Sequence, residues 1–227
     1  MPLRDTVPSR RFPVVGVSLI AVNIAVFFYE FSLGQRVRSL VTSFGVIPAS
    51  VLGENYVTDV GFRPQVFLTS LFLHGGWFHV GGNMLYLWIF GDNVEDRMGR
   101  FRFLVFYLSC GVLASLAHVV ANPSSNVPTI GASGAIAGVL GAYFLLYPRA
   151  KVLTLIPLGI FIQLVELPAF FFLGFWLLIQ FLSGVASLAV RGQVAVGVAW
   201  WAHIGGFAAG ALLLQVFKRR EKKRVRK

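Results

Sequence analysis

Residues 131–143 read GASGAIAGVLGAY, a serine between glycines at the head of an apolar run, and Ser133 is the candidate nucleophile from which the rest of the chain is read. A hydroxyl is a poor nucleophile until a neighbouring base takes its proton, so this serine has chemistry only if the fold brings a base to it. From the C-terminal half the candidate is His203, in AHIGGFAAG at 202–210.

Composition decides what kind of fold could join them. The chain of 227 residues is 56% hydrophobic and 13% charged, against roughly 45–50% apolar and 25% charged for a soluble domain. That balance describes a polytopic membrane protein. The single cysteine, Cys110, lies in an apolar run and excludes an internal disulfide framework. A net charge of +11 would suggest nucleic acid in a soluble chain, but here the basic residues flank apolar runs, so the charge reads as topology and no nucleic-acid partner is expected.

Taken in order, residues 1–12 are a basic tail and 13–33 an uncleaved first span, long enough for a ~30 Å hydrocarbon core. Residues 34–76 form a long mixed loop. Further spans are expected from about Phe78, over 101–121, 131–147 (closed by Pro148 and Arg149), 168–190 and 198–217. The stretch 152–165, broken by Pro157 and Gly159, is too short to span and reads as interfacial. The expected fold is therefore all-α, six transmembrane helices over 13–217, followed by a basic tail at 218–227.

Six spans put both termini on one side. Arg4, Arg10, Arg11, Arg97, Arg100, Arg102, Arg149, Lys151 and the tail fall on that face, leaving Arg36, Arg38, Arg63 and Arg191 opposite, so both ends are expected in the cytoplasm. The tail could also touch anionic membrane lipids. Ser133 then precedes the inner boundary at Pro148 by 15 positions, and His203 precedes Lys218 by 15. Each sits roughly 22 Å above that boundary, about 8 Å below the outer surface. Asn83 lies near the same height and His79 one turn above it.

Lateral contact is suggested by glycine. Gly206 and Gly210 form G-x-x-x-G on the helix face that carries His203, and Gly134, Ala137, Gly138 and Gly141 give the serine helix a matching smooth side. Small residues let helix backbones approach closely in lipid.

On these residues the chain resembles the rhomboid family of intramembrane serine proteases. Three linked motifs carry the likeness: H-x4-H-x3-N (His74, His79, Asn83), G-x-S-G (Gly131 to Gly134) and A-H-x-x-G-x-x-x-G (Ala202 to Gly210). The resemblance implies that Ser133 attacks the scissile carbonyl while His203 takes and later delivers its proton. It also implies an oxyanion hole of His79, Asn83 and the Ser133 backbone N–H, supported by His74, Gly131, Gly134, Gly206 and Gly210. No carboxylate falls in the outer half of the sixth span, so a Ser-His dyad is expected rather than a triad. The resemblance further implies a lateral gate built with Phe172 and Trp176. No carboxylate or cysteine joins His74, His79 and His203 at ligand spacing, so neither a metal nor another cofactor is expected.

The chain departs from the family pattern at two places. Many members carry Trp-Arg in the first loop where this chain has Gln65 and Val66, and many stack an aromatic residue on the catalytic imidazole where it has Ala137. The second departure leaves the orientation of His203 less determined. The E-x-x-x-G after the second span is kept as Glu95 and Gly99.

The reading is thus a multi-pass endopeptidase whose partners are transmembrane protein substrates. The rivals are a catalytically inactive rhomboid-like client-binding protein, which usually lacks the serine or histidine retained here, and a transporter with a histidine relay, which should show paired broken helices. Absence of a transit peptide and of large extra domains favours a prokaryotic plasma (inner) membrane, with the active site near the outer face.

Overall fold

The computed structural model describes residues 1–53, 63–158, 161–189 and 198–219. In chain order its helices are α1 (Val14–Ser32), α2 (Val37–Phe44), α3 (Pro48–Val51), α4 (Val66–Thr69), α5 (Trp77–Met98), α6 (Arg100–Ala121), α7 (Ser133–Leu146), α8 (Ala169–Ala189) and α9 (Trp200–Phe217). By length and composition α1, α6, α8 and α9 can each cross a membrane. α5 carries Asp92, Glu95, Asp96 and Arg97 in its last two turns, and α7 has only 14 residues. Mostly helical architecture with four candidate spans among the described residues is therefore established, and not the expected count of six.

The all-α expectation is corrected by a three-stranded antiparallel sheet in the order β1 (Pro2–Asp5), β2 (Lys151–Leu158) and β3 (Phe161–Pro168). The stretch read as interfacial is in fact a hairpin. Its valines, isoleucines, threonine and phenylalanine favour the pleated conformation, and Pro157, which would break a central strand, lies past the end of β1. There β2 has a neighbour on one side only, where a missing N–H costs no ladder bond. Lys151 and Glu166 close the base of the hairpin with an exposed ion pair of 2.9 Å.

β1, the first turn of α1, the α5–α6 junction and the end of α9 meet on one face. Arg10 N–H donates to Asp96 (2.9 Å), and Arg219 N–H to the Arg97 carbonyl (3.1 Å). Glu95 accepts the N–H groups of Val15 and Gly16 at 3.1 and 2.8 Å, satisfying donors that the first turn of α1 cannot pair internally. Gly99 makes the turn between α5 and α6 at φ +84°, a conformation that disfavours a side chain. Asp5 takes hydrogen bonds from the Tyr143 hydroxyl and from Asn93 Nδ2. Burial pushes its carboxyl above the usual range, against the lowering effect of Tyr143. Of the other charges read from the sequence, Arg191 and residues 220–227 lie outside the described residues.

α7 is the centre of the molecule, with every residue from Gly134 to Tyr143 buried. A helix that is apolar all round has no solvent face to offer and belongs inside. It runs beside α9 at nearly van der Waals backbone separation. A Cβ on Gly206 would overlap the Gly134 carbonyl oxygen, and one on Gly210 the Gly138 carbonyl oxygen. The same offset of 72 residues in both contacts means that the two helices run parallel in fixed register. α6 closes the other side of α7, where Gly138 faces Cys110 and Gly134 would bring a Cβ within 2.7 Å of Ala114 Cβ.

Glycine substitutions should therefore change stability with opposite signs. Gly210→Val forces α7 and α9 apart and should destabilise the protein by about 1–3 kcal/mol. Gly82→Ala meets nothing within 4 Å and should stabilise α5 by about 0.5–1 kcal/mol. Thermal unfolding of the purified protein in detergent reads both, and a Gly210→Val melting temperature at or above wild type would contradict the packing.

Candidate functional site

Ser133 is the first residue of α7 and His203 lies in the first turn of α9. The glycine contacts one turn further along hold these helix ends together, and His203 Nε2 comes 2.8 Å from Ser133 Oγ. The other ring nitrogen, Nδ1, is 2.7 Å from Gln180 Oε1 on α8. An amide oxygen can only accept, so Nδ1 carries the proton and Nε2 is left to accept from the serine hydroxyl. At the start of α7 the first intrahelical N–H bond is that of Ile136 to the Ala132 carbonyl. The N–H groups of Ser133, Gly134 and Ala135 thus have no partner within the helix, and the positive end of the helix dipole lies at the hydroxyl.

The approach to Ser133 has its own geometry. Gly131 has φ +121°, and a Cβ there would meet His79 Nε2 at 2.6 Å and Asn83 Nδ2 at 3.7 Å. Only glycine fits, on conformation and on space. The same observation shows that the side chains of His79 and Asn83, one turn apart on α5, converge on the segment that enters Ser133. Gly75 N–H donates to His79 Nδ1 at 3.3 Å, so in the neutral ring Nε2 carries the proton and is a donor. Asn83 Nδ2 donates to His74 Nε2 at 3.0 Å, which leaves the second amide hydrogen of Asn83 for another acceptor.

The loop before α5 sets these groups. His74 is buried, with Nδ1 3.3 Å from the Phe72 carbonyl, and its backbone N–H donates to the Glu30 carboxylate at 3.1 and 3.3 Å. Glu30 itself is only 2% exposed. The loop read as long and mixed is tied down further by the bridge between Val46 and Thr129, by Ala49 N–H to the Ser125 carbonyl (3.0 Å), and by Gly131 N–H to the Ser70 carbonyl (2.8 Å). The chain entering α7 is thus clamped from the loop between α1 and α5, which α1 in turn holds through Glu30.

Of the residues assigned to a gate, Phe172 packs on α5 through Phe90, with ring centres 6.3 Å apart. Trp176 lies against His203, 5.8 Å between ring centres and 35° between planes. It supplies the aromatic neighbour for the imidazole that Ala137 does not. Sequence reasoning missed Gln180 and Glu30. The usable signal was a polar residue inside an otherwise apolar span, which in lipid marks a paired or functional group. His118 is held at its own helix end by Asn122 and meets His203 only as a neighbouring titratable group.

Chemically the constellation can move a proton from an alcohol to an imidazole beside several convergent N–H donors, as acyl transfer requires. Comparison with known proteins agrees at family level. Residues 63–220 match the Rhomboid domain. The chain is 32% identical over 216 residues to the mitochondrial Rhomboid protein 1 of Saccharomyces cerevisiae, covering 92% of this chain and 55% of that protein. It is 35% identical over 131 residues to the Rhomboid protease GluP of Bacillus subtilis, 57% of this chain and 24% of that one. To the chloroplastic Rhomboid-like protein 11 of Arabidopsis thaliana it is 35% identical over 99 residues, 42% of this chain and 35% of that one.

The chain thus spans about half or less of the length of the curated relatives it matches. Mitochondrial and chloroplastic proteins among them overturn the assignment to a prokaryotic plasma membrane. That assignment leaned on the absence of a leader and of further domains, which a chain covering only part of its relatives cannot support.

The clamp on His74 makes a prediction about Glu30. Glu30→Leu strands a buried N–H and should lower stability by about 1–3 kcal/mol, whereas Glu30→Gln keeps an acceptor and should cost less than half as much. Denaturation monitored in detergent distinguishes them, and equal effects would show that the carboxylate does not hold the loop.

Proposed function

The chain belongs to the rhomboid family, and from that premise we propose that it is an intramembrane serine endopeptidase that cuts transmembrane segments of other membrane proteins with Ser133 and His203. The observation that carries this reading is the 2.8 Å approach of His203 Nε2 to Ser133 Oγ, with Nδ1 already committed as a donor. The hydroxyl proton passes to Nε2 as Oγ bonds to the scissile carbonyl carbon. The tetrahedral oxyanion is met by the Ser133 N–H, His79 Nε2–H and the free hydrogen of Asn83 Nδ2. Collapse breaks the C–N bond while His203 delivers its proton to the departing amine, and a water activated by the same imidazole then hydrolyses the acyl-enzyme.

In this reading all six long helices cross the membrane, α5 and α7 included. α7 is about 21 Å long, shorter than a ~30 Å core, so a serine at its first residue lies below the membrane surface. The clamped loops fill the remaining depth with backbone that is paired, the condition under which irregular chain is tolerated at that level. Phe172, on α8 against α5, lies at the expected route of lateral substrate entry. A substrate helix must unwind before its carbonyl reaches Ser133, so cleavage should favour segments with small or helix-destabilising residues.

The test is covalent labelling by a fluorophosphonate. Wild type should label, Ser133→Ala and His203→Ala should not, and equal labelling of all three would remove Ser133 as nucleophile. Asn83→Ala and His79→Ala should each lower the cleavage rate of a transmembrane substrate by about 10²- to 10³-fold, with folding unchanged by circular dichroism.

A further inference from the structure

We propose that Gln180 is a positioning residue for the general base, fixing the tautomer and the ring plane of His203 from a third helix. The inference rests on the Ser133–His203 reading above and adds to it a residue that neither the motifs nor the family match assigns.

α8 is apolar along its length, and its outward side chains, among them Phe171, Phe175 and Leu182, are exposed as a lipid-facing surface would be. Besides Ser183 and Ser187, its polar side chain is Gln180, a primary amide only 5% exposed on the side that faces α9. A polar group in such a place is costly unless it is paired. Both ends of this amide are paired. Nε2 donates to the Trp176 carbonyl at 3.1 Å and Oε1 stands 2.7 Å from His203 Nδ1. The first bond settles the second, because the Trp176 carbonyl needs a donor and an amide oxygen carries no hydrogen to give it. The amide must turn its NH₂ toward Trp176 and present Oε1 to the imidazole. Nδ1 is thereby held as the donor, and Nε2 is the nitrogen left facing Ser133.

Trp176, one turn earlier on the same helix, covers the ring of His203. The two side chains at i and i+4 therefore restrain different freedoms, Trp176 the tilt of the ring and Gln180 its rotation and protonation pattern. A neutral amide does this without burying a second charge, which a carboxylate at the same depth would do at a cost in desolvation. The titratable groups that face His203 from the other helices are His79 on α5 and His118 on α6, and neither contacts Nδ1. Base orientation thus depends on where α8 stands, so the helix that flanks substrate entry also completes the catalytic pair.

The experiment compares full-length wild type, Ser133→Ala, Gln180→Leu and Gln180→Glu in vesicles, cleaving a fluorogenic transmembrane peptide across a range of pH. Gln180→Leu should reduce kcat by about 10- to 100-fold with KM within about twofold, since the amide meets Nδ1, across the ring from Ser133. Gln180→Glu keeps an acceptor at Nδ1 and should recover most of that loss. Its carboxylate favours the imidazolium, so the acid limb of kcat/KM, which reports the free base, should move to higher pH. Wild-type kcat per folded molecule and an unmoved acid limb in both variants, with Ser133→Ala inactive, would overturn the role of Gln180 and leave the dyad standing. Cleavage by Ser133→Ala at the wild-type rate would overturn both. Should Gln180→Leu fail to fold, the acid limb of Gln180→Glu decides alone, an unmoved limb overturning the proposal.

Discussion

The contact between α7 and α9 is the constraint on which everything else in this molecule depends. Two backbones lie so close that a single methyl on Gly206 or Gly210 would enter a carbonyl of the facing helix. In hydrocarbon no water is released when apolar side chains meet, so helix association rests on close packing and on polar contacts. Glycine maximises the first by removing what would hold the rods apart. It also removes the tolerance for sliding, because each glycine fits over one particular carbonyl. Register fixed in this way carries the ends of both helices with it, and those ends hold Ser133 and His203.

Around this fixed pair the remaining polar groups behave as one set of orienting bonds. Each imidazole has a donor or acceptor committed elsewhere, His74 to Phe72, His79 to Gly75 and His203 to Gln180, and so each is left with one defined nitrogen for its neighbour. Backbone partners dominate at the α5 end, where the loop is anchored through Glu30 and Ser70. Side-chain partners dominate at the α9 end. The difference follows from position, since buried loop backbone must be satisfied by something, whereas helical backbone already satisfies itself.

Much of this was legible before any coordinates. Periodicity and apolar length located the helices, and the fixed spacing of glycine against Ser133 and His203 indicated which two would touch. The hairpin of β2 and β3 was misread because a short apolar run broken by proline carries no period that separates strand from interfacial coil, and its pairing with Pro2–Asp5 joins segments about 150 residues apart. Glu30 and Gln180 were only half legible, for a related reason. A lone polar residue inside an apolar span announces that it needs a partner but does not say which one.

The sequence by itself determined that this chain is a helical membrane protein of the rhomboid family and that a serine and a histidine each stand within one turn of the glycines that let two helices meet, because spacing along a helix is a local count of residues. Only the tertiary structure decided which nitrogen of each histidine faces the site, that α8 completes the environment of His203, and that the basic face is tied together by a sheet. Those are matters of direction across the bundle. They depend on how helices rotate about their axes and on which loops return beneath them, and no local pattern in a single chain encodes either.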